Sequence, residues 1–317
     1  MPAIPIIDID VPNAAVEIDR ACRTAGFFAI PLSPSLNEQR VRLTTLATEF
    51  FALDPTVKER VSMHHGGPAW RGWFPLGGEL TSGVPDVKEG YYFGAELPPD
   101  IRPMHGPNLW PDEPFVLRSA VTEWMDAMTA LGQRVLTLMA VGLGQPPDYF
   151  AADLTAEPTP LFRIFRYPPH PTGDARRWGV GEHSDYGLLT LLATDGTPGL
   201  EVNVAGDWVA SPADAELIIC NLGDMLDRLT GGRYRSTRHR VRNHAGHDRY
   251  SLPFFLDPGW NATIRPMSFD DGWLTPHDAA ARWDRANLRD LGGTYGDWLS
   301  AKVAKVFPDL ANHVTGD

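Results

Sequence analysis

Residues Gly181–Thr190 read G-E-H-S-D-Y-G-L-L-T, and the fold turns on how they are read. His183 and Asp185 are separated by one residue, and an apolar run, Leu188–Ala193, follows directly. On a strand, side chains at i and i+2 share a face. The imidazole and the carboxylate are therefore expected to project together into one cavity. Two histidines and one carboxylate on one face form a triad that holds iron(II) and leaves coordination positions open for chemistry. H-x-D alone arises by chance in many sequences, so the reading requires a second histidine on a neighbouring strand.

Ser236-Thr237-Arg238-His239-Arg240-Val241 supplies it. Alternation over Thr237–Arg242 puts Thr237, His239 and Val241 on one face. Arg238, Arg240 and Arg242 then form a solvated outer face and need no nucleic acid to explain them. The other histidines, His64, His65, His105, His170, His244, His247, His277 and His313, lie in turn- or loop-like surroundings and read as structural or exposed. Beyond His239, Arg249-Tyr250-Ser251 opens a further strand, Tyr250–Leu256. Arg249 and Ser251 share a face, and a guanidinium beside a hydroxyl is a receptor for a carboxylate. The strand continues as core through Phe254, Phe255 and Leu256. A buried arginine needs an anionic partner, and a dicarboxylate cosubstrate would provide one.

The bulk properties agree with a globular enzyme. The chain has 317 residues, enough to bury a substantial core without staples. Gly 30 and Pro 29 indicate many turns. A net charge of −12 argues against a nucleic-acid partner. Cys22 and Cys220, the only cysteines, sit in apolar surroundings, so a reduced cytoplasmic protein is expected, not a disulfide scaffold. Met1–Asp10 lacks the features of a signal peptide, and no apolar run reaches the roughly 20 residues of a membrane span.

Along the chain, Ile4–Ile9 reads as a strand, Val11–Thr24 as a helix and Gly26–Ile30 as a second strand. Leu36–Leu53 reads as a helix presenting Val41, Thr45 and Phe50–Phe51 inward. His64–Pro114 shows little periodicity but many aromatics, and is expected to be a loop region wrapping over a site. Phe115–Leu143 has the longest helical period, with Val121, Trp124, Met128, Val135 and Met139 on one face, and reads as a helix backing a sheet. Short strands follow at Phe162–Tyr167, Leu188–Thr194, Leu200–Val204, Trp208–Ala210, Leu217–Asn221, Thr237–Arg242 and Tyr250–Leu256, a sandwich or barrel pattern. Pro276–Leu288 and Tyr295–Phe307 read as helices. Residues 1–317 are expected to form one domain: an N-terminal helix, strand and loop region (1–114), a backbone helix and connection (115–160), a β core with the site (161–258) and C-terminal helices (259–317).

These motifs in this order resemble the isopenicillin N synthase-like branch of the iron(II)/2-oxoglutarate-dependent oxygenases. The resemblance runs nearly end to end. It rests on I-P-I-I-D-I, A-C-R-T-A-G-F-F, W-R-G-W, R-Y-P-P, H-S-D-Y-G-L-L-T, N-L-G-D-M-L-D-R-L-T-G-G-R-Y-R-S-T-R-H-R-V and R-Y-S-L-P-F-F. It implies an α+β fold, mainly β: a double-stranded β-helix (jelly-roll) with flanking helices. It implies iron(II) bound by His183, Asp185 and His239, and 2-oxoglutarate held at its distal carboxylate by Arg249 and Ser251, with Tyr167 also at the cosubstrate or substrate. Dioxygen is the second cosubstrate and ascorbate a candidate reductant. Two departures stand out. Phe165 occupies a position where plant members usually carry asparagine, and the turn between His239 and Arg249 is one residue longer than is common.

The implied reaction hydroxylates, desaturates or cyclises a small molecule such as an amino acid or specialised metabolite, releasing succinate and carbon dioxide. Candidates for the substrate wall are Arg71, Trp73, Tyr91, Tyr92 and Phe255. Three other readings fit the same residues: an isopenicillin N synthase-type oxidase that does not use 2-oxoglutarate, an ethylene-forming-type enzyme, and a non-catalytic jelly-roll binding module.

Overall fold

The computed structural model of the protein describes residues 4–81, 83–169, 177–269 and 292–306. Helix α1 (Ala14–Thr24) leads into strand β1 (Phe27–Pro31). Helix α2 (Pro34–Ala52) follows, started by Ser33, whose hydroxyl accepts from the Leu36 N–H. A single turn, α3 (Pro55–Lys58), precedes β2 (Gly72–Phe74) and β3 (Glu89–Gly94). The long helix α4 (Leu117–Gly142) then crosses to the strands β4 (Thr159–Tyr167), β5 (Val180–His183), β6 (Leu189–Thr194), β7 (Leu200–Val204), β8 (Asp207–Ala210) and β9 (Leu217–Leu222). The short helix α5 (Asp224–Leu229), strands β10 (His239–Val241) and β11 (Arg249–Asp257), and helix α6 (Tyr295–Val306) complete the described chain.

The strands form two antiparallel sheets, β1-β9-β6-β11-β4-β3-β2 and β5-β10-β7-β8. Phe27, Phe165, Tyr167 and Ile219 of the larger sheet pack in one cluster with Val180, Val202 and Val241 of the smaller. The jelly-roll expected from the sequence is thus present. Strand β11 shows how the layers are divided. Leu252, Phe254 and Leu256 are fully buried beneath α4, together with Trp124, Met128, Val135 and Met139. Each such side chain contributes about 1.5–3 kcal/mol through loss of water contact. Arg249, Ser251, Pro253 and Phe255 point the other way, into a cavity between the sheets. With both faces covered, β11 is buried along nearly its whole length.

Several expectations are corrected. Ile4–Ile9 is not a strand: only Ile6 bridges Ala29, and Pro5 has no N–H to extend a ladder. Helix α2 turns Leu43, Leu46, Ala47 and Phe50 inward, while Val41 and Thr45 are exposed. His64–Pro114 is less irregular than expected, since it contributes β2 and β3 to the larger sheet. These strands are buried on both faces and carry no alternation to reveal them. Helix α5 carried too few residues for a helical period to emerge. Pro276–Leu288 lies outside the described residues, and α6 matches the expected last helix to within a residue.

Candidate active site

The two histidines meet through strand register. His239 on β10 is paired directly with His183 on β5, and their rings lie 4.2 Å apart. Asp185 is not on a strand, contrary to the simple i, i+2 expectation, because β5 ends at His183. What brings it round is α5. The first N–H groups of a helix have no partner inside it. Here Asp224 N–H donates to the Asp185 carbonyl at 2.7 Å and Met225 N–H to the Tyr186 carbonyl at 3.1 Å. This docking is close. A Cβ on Gly223 would lie 2.2 Å from the Gly187 carbonyl, and one on Gly187 would lie 1.5 Å from Asp257 Oδ1. Asp257 in turn accepts from the Leu188 N–H at 3.0 Å and from the Tyr295 hydroxyl of α6 at 2.6 Å. The loop after His183 is therefore clamped from two sides.

Each donor atom is oriented by a second contact. His183 Nδ1 lies 2.8 Å from the Gly181 carbonyl, and His239 Nδ1 lies 3.2 Å from the Thr237 carbonyl. These contacts place the proton on Nδ1 and leave both Nε2 lone pairs free. Both Nε2 atoms face Asp185 Oδ1, at 3.8 and 3.7 Å. Asp185 Oδ2 accepts from Thr190 Oγ1 at 2.5 Å and Asn221 Nδ2 at 2.6 Å. That leaves Oδ1 as the available ligand. Burial and the neighbouring His239 lower the His183 pKa to about 3, so its ring is neutral. Burial opposes ionisation of Asp185, but the two imidazoles and its two hydrogen bonds outweigh it and hold the carboxyl below its ordinary value. Two imidazoles and one carboxylate, with ligand atoms within 4.8 Å of one another, fit a divalent iron. Among the described residues this is the one such cluster.

The other end of the cavity is cationic. Arg249 pairs across the sheet with Tyr167 and is 1% exposed. Its Nε donates to the Thr197 carbonyl at 3.1 Å, whereas its buried Nη1 has no hydrogen-bond partner among the described residues. Ser251 Oγ lies beside it on the same face and donates to the Tyr167 hydroxyl at 3.3 Å. A buried guanidinium with an unused donor, beside two hydroxyls, fits a carboxylate. The longer turn between His239 and Arg249 leaves both strands intact. Asn243 spans it by donating to the Tyr167 and His247 carbonyls, each at 2.8 Å.

The cavity, about 140 Å³, contains His183, Asp185, His239, Tyr167, Arg249, Ser251 and Phe255 in its wall. Arg71, Trp73, Tyr91 and Tyr92 are not part of that wall. Arg71 is buried and spends its guanidinium on the carbonyls of Ala95, Gly106 and Met104, tying loops together. Trp73 Nε1 donates to Glu89 at 3.0 Å, and the Tyr91 hydroxyl to the Leu109 carbonyl at 2.6 Å. Tyr92 stands behind the wall and donates to Glu79 at 2.6 Å. From the same segment, Glu79, Thr81, Lys88 and Met104 reach the cavity instead. The sequence reading also missed Thr190, Asn221, Asp257 and Arg163. Counting back in twos from Tyr167 along β4 gives Phe165, Arg163 and Leu161, so alternation could have found Arg163.

The chain belongs to the 2OG-Fe(II) oxygenase superfamily. The model of that family matches residues 158–258, and the model of the N-terminal region of a non-haem dioxygenase in morphine synthesis matches residues 4–113. A probable iron/ascorbate oxidoreductase of Dictyostelium discoideum is 40% identical over 94% of this chain and 90% of its own. A 1-aminocyclopropane-1-carboxylate oxidase of the same organism is 32% identical over 99% of this chain and 98% of its own. A 2-oxoglutarate-dependent dioxygenase of Aspergillus niger, caaD, is 37% identical over 82% of each chain. Among solved structures, a full-length Neurospora crassa protein in complex with alpha-KG superposes with a TM-score of 0.80 at 25% identity, covering 95% of this chain and 96% of that one. The protein is thus an iron(II)/2-oxoglutarate dioxygenase by family, fold and donor set.

Proposed function

We propose that the enzyme couples decarboxylation of 2-oxoglutarate to oxidation of a small organic molecule, with hydroxylation as the default outcome and desaturation or ring closure as variants. Iron(II) is held by His183, Asp185 and His239. The distal carboxylate of 2-oxoglutarate is received by Arg249 and Ser251, with the Tyr167 hydroxyl beside them. The observation that carries this reading is the pairing, in one cavity, of an oriented His-Asp-His donor set with a buried arginine whose Nη1 has no partner among the described residues. Bound iron and 2-oxoglutarate supply the power to activate dioxygen, and the cosubstrate leaves as succinate and carbon dioxide.

The protein's own part is placement and exclusion of water. Thr190 and Asn221 hold Asp185 by one oxygen so that the other faces the two imidazoles. The Gly181 and Thr237 carbonyls fix the ring tautomers. Phe27, Leu161, Phe165, Leu192 and Phe255 give the cavity an apolar lining that keeps bulk water from the reacting centre. The chain acts as a single domain over 1–317, and its two buried, unpaired cysteines suit a reducing cytoplasmic compartment. No helix among the described residues is long and apolar enough to cross a membrane.

The test is iron content and succinate release with 2-oxoglutarate, ascorbate and a substrate panel. His183→Ala and Asp185→Ala are expected to lose iron and turnover while keeping the native circular dichroism. Full succinate release by either variant would overturn the assignment. Product formed by the wild type without succinate would shift it to an oxidase independent of 2-oxoglutarate.

A further inference from the structure

Besides Arg249, the cavity wall carries two more cations: Lys88, which is held by Glu79 and Asp86, and Arg163. Arg163 lies on the face of β4 that also carries Phe165 and Tyr167. Tyr167 is paired with Arg249, and Arg163 is four residues back along the strand. At about 3.3 Å per residue the two positions are roughly 13 Å apart. One cation therefore stands at each end of the β4–β11 face.

The surroundings of Arg163 are those of a receptor. Its guanidinium carbon sits 4.2 Å from the centre of the Tyr92 ring and 4.9 Å from that of Phe255. Two aromatic rings fix the position of the cation. Its one ionic contact among the described residues is long: Nη1 lies 3.9 Å from Glu79 Oε1, beyond hydrogen-bonding distance. Glu79 is already supplied by Lys88 Nζ at 2.8 Å and the Tyr92 hydroxyl at 2.6 Å. The Arg163 side chain, 24% exposed, makes no hydrogen bond with any described residue. Arg166, facing the other side of the same strand, is by contrast tied to Glu89 at 2.6 Å and Asp248 at 2.7 Å. A guanidinium with free donors in a part-apolar cavity asks for an anion.

The wall also says which anion. One guanidinium, with the carboxylate of Glu79 beside it and Asp185 across the cavity, suits a single negative charge and disfavours a dianionic phosphate. Leu161, Phe165, Leu192 and Leu299 give the space an apolar side, and the charge of Lys88 is spent on Glu79 and Asp86 at 2.8 Å each. We propose that Arg163 is the substrate-anchoring residue, receiving the carboxylate of a small monocarboxylic acid whose apolar body lies toward the His183–Asp185–His239 face. This rests on the reading of the site given above and adds the substrate class to it.

Iron(II)-loaded enzyme is first titrated with 2-oxoglutarate alone under anaerobic conditions. It is then assayed for succinate release with phenylacetate, 3-phenylpropanoate, hexanoate and N-acetyl-leucine, each beside its primary amide. The wild type is expected to favour acids over matched amides by roughly 10- to 100-fold in kcat/KM, the worth of charge-assisted hydrogen bonds. Arg163→Leu brings that ratio to about one, mainly through KM, and Arg163→Lys keeps part of it. Arg163→Gln replaces the leucine variant if the latter does not fold. If 2-oxoglutarate does not bind, the site reading itself fails. If it binds and no acid outperforms its amide, the anchoring role of Arg163 is overturned. The same follows if the preference survives in Arg163→Leu, because the anion is then read elsewhere and Arg163 merely balances Glu79.

Discussion

Replacing Arg249 by leucine separates binding of the cosubstrate from stability of the fold. Without ligand, Arg249 has one hydrogen bond among the described residues, Nε to the Thr197 carbonyl, and a cation–π contact 5.1 Å from the Tyr167 ring centre. Losing the two costs about 1–3 kcal/mol. Removing a charge buried to 1% exposure without an anionic partner returns an amount of the same order, and leucine restores apolar contact. The melting temperature without ligand should therefore move by only a few degrees. The effect on 2-oxoglutarate is one-sided. A charge-assisted hydrogen bond is worth about 1.5–3 kcal/mol, so losing the bidentate pair weakens binding by about 3 kcal/mol, on the order of 100-fold. The assay is calorimetric titration of 2-oxoglutarate into anaerobic iron(II)-loaded protein, with melting curves in parallel. In the wild type, 2-oxoglutarate at 100 times its Kd should stabilise the fold by about 2.7 kcal/mol, and the variant should lose that gain at the same concentration. An unchanged Kd in a folded variant would refute the placement of the distal carboxylate.

Two further predictions follow from the supports of the site. Asn221→Ala leaves Asp185 Oδ2 with Thr190 as its single side-chain donor, and should weaken iron(II) binding by roughly 10- to 100-fold in chelator competition; unchanged affinity would mean that Asn221 does not orient the ligand. Asp257 has its pKa raised to about 6 by burial. The folded chain then holds this proton more tightly than the unfolded chain, so stability is greatest below the ordinary carboxyl pKa and falls as pH rises toward 6. The fall amounts to at most about 3 kcal/mol. In metal-free protein with chelator present, urea midpoints of the wild type should drop between pH 4 and 6, and Asp257→Asn should flatten that drop; parallel profiles would contradict it.

The sequence by itself determined the chemistry and the order of its parts. Its strongest signals are short-range: residue type, strand alternation around His239 and Arg249-x-Ser251, and the helical period of α4. These specify a donor set, a carboxylate receptor and a sheet backed by a helix, because side-chain direction on a regular element follows from spacing alone. Spacing fails where the chain is not regular. Asp185 is beyond the end of β5, and its approach to His183 depends on α5, whose first N–H groups bind the carbonyls of Asp185 and Tyr186. Within His64–Pro114, aromatic content suggested a substrate wall, but Arg71, Trp73, Tyr91 and Tyr92 each found a partner inside the protein. Only tertiary structure decides which polar atoms are satisfied there and which remain free. That is why Arg249 Nη1 and the Arg163 guanidinium stand out in the folded chain, while in the sequence each is one more arginine on a strand.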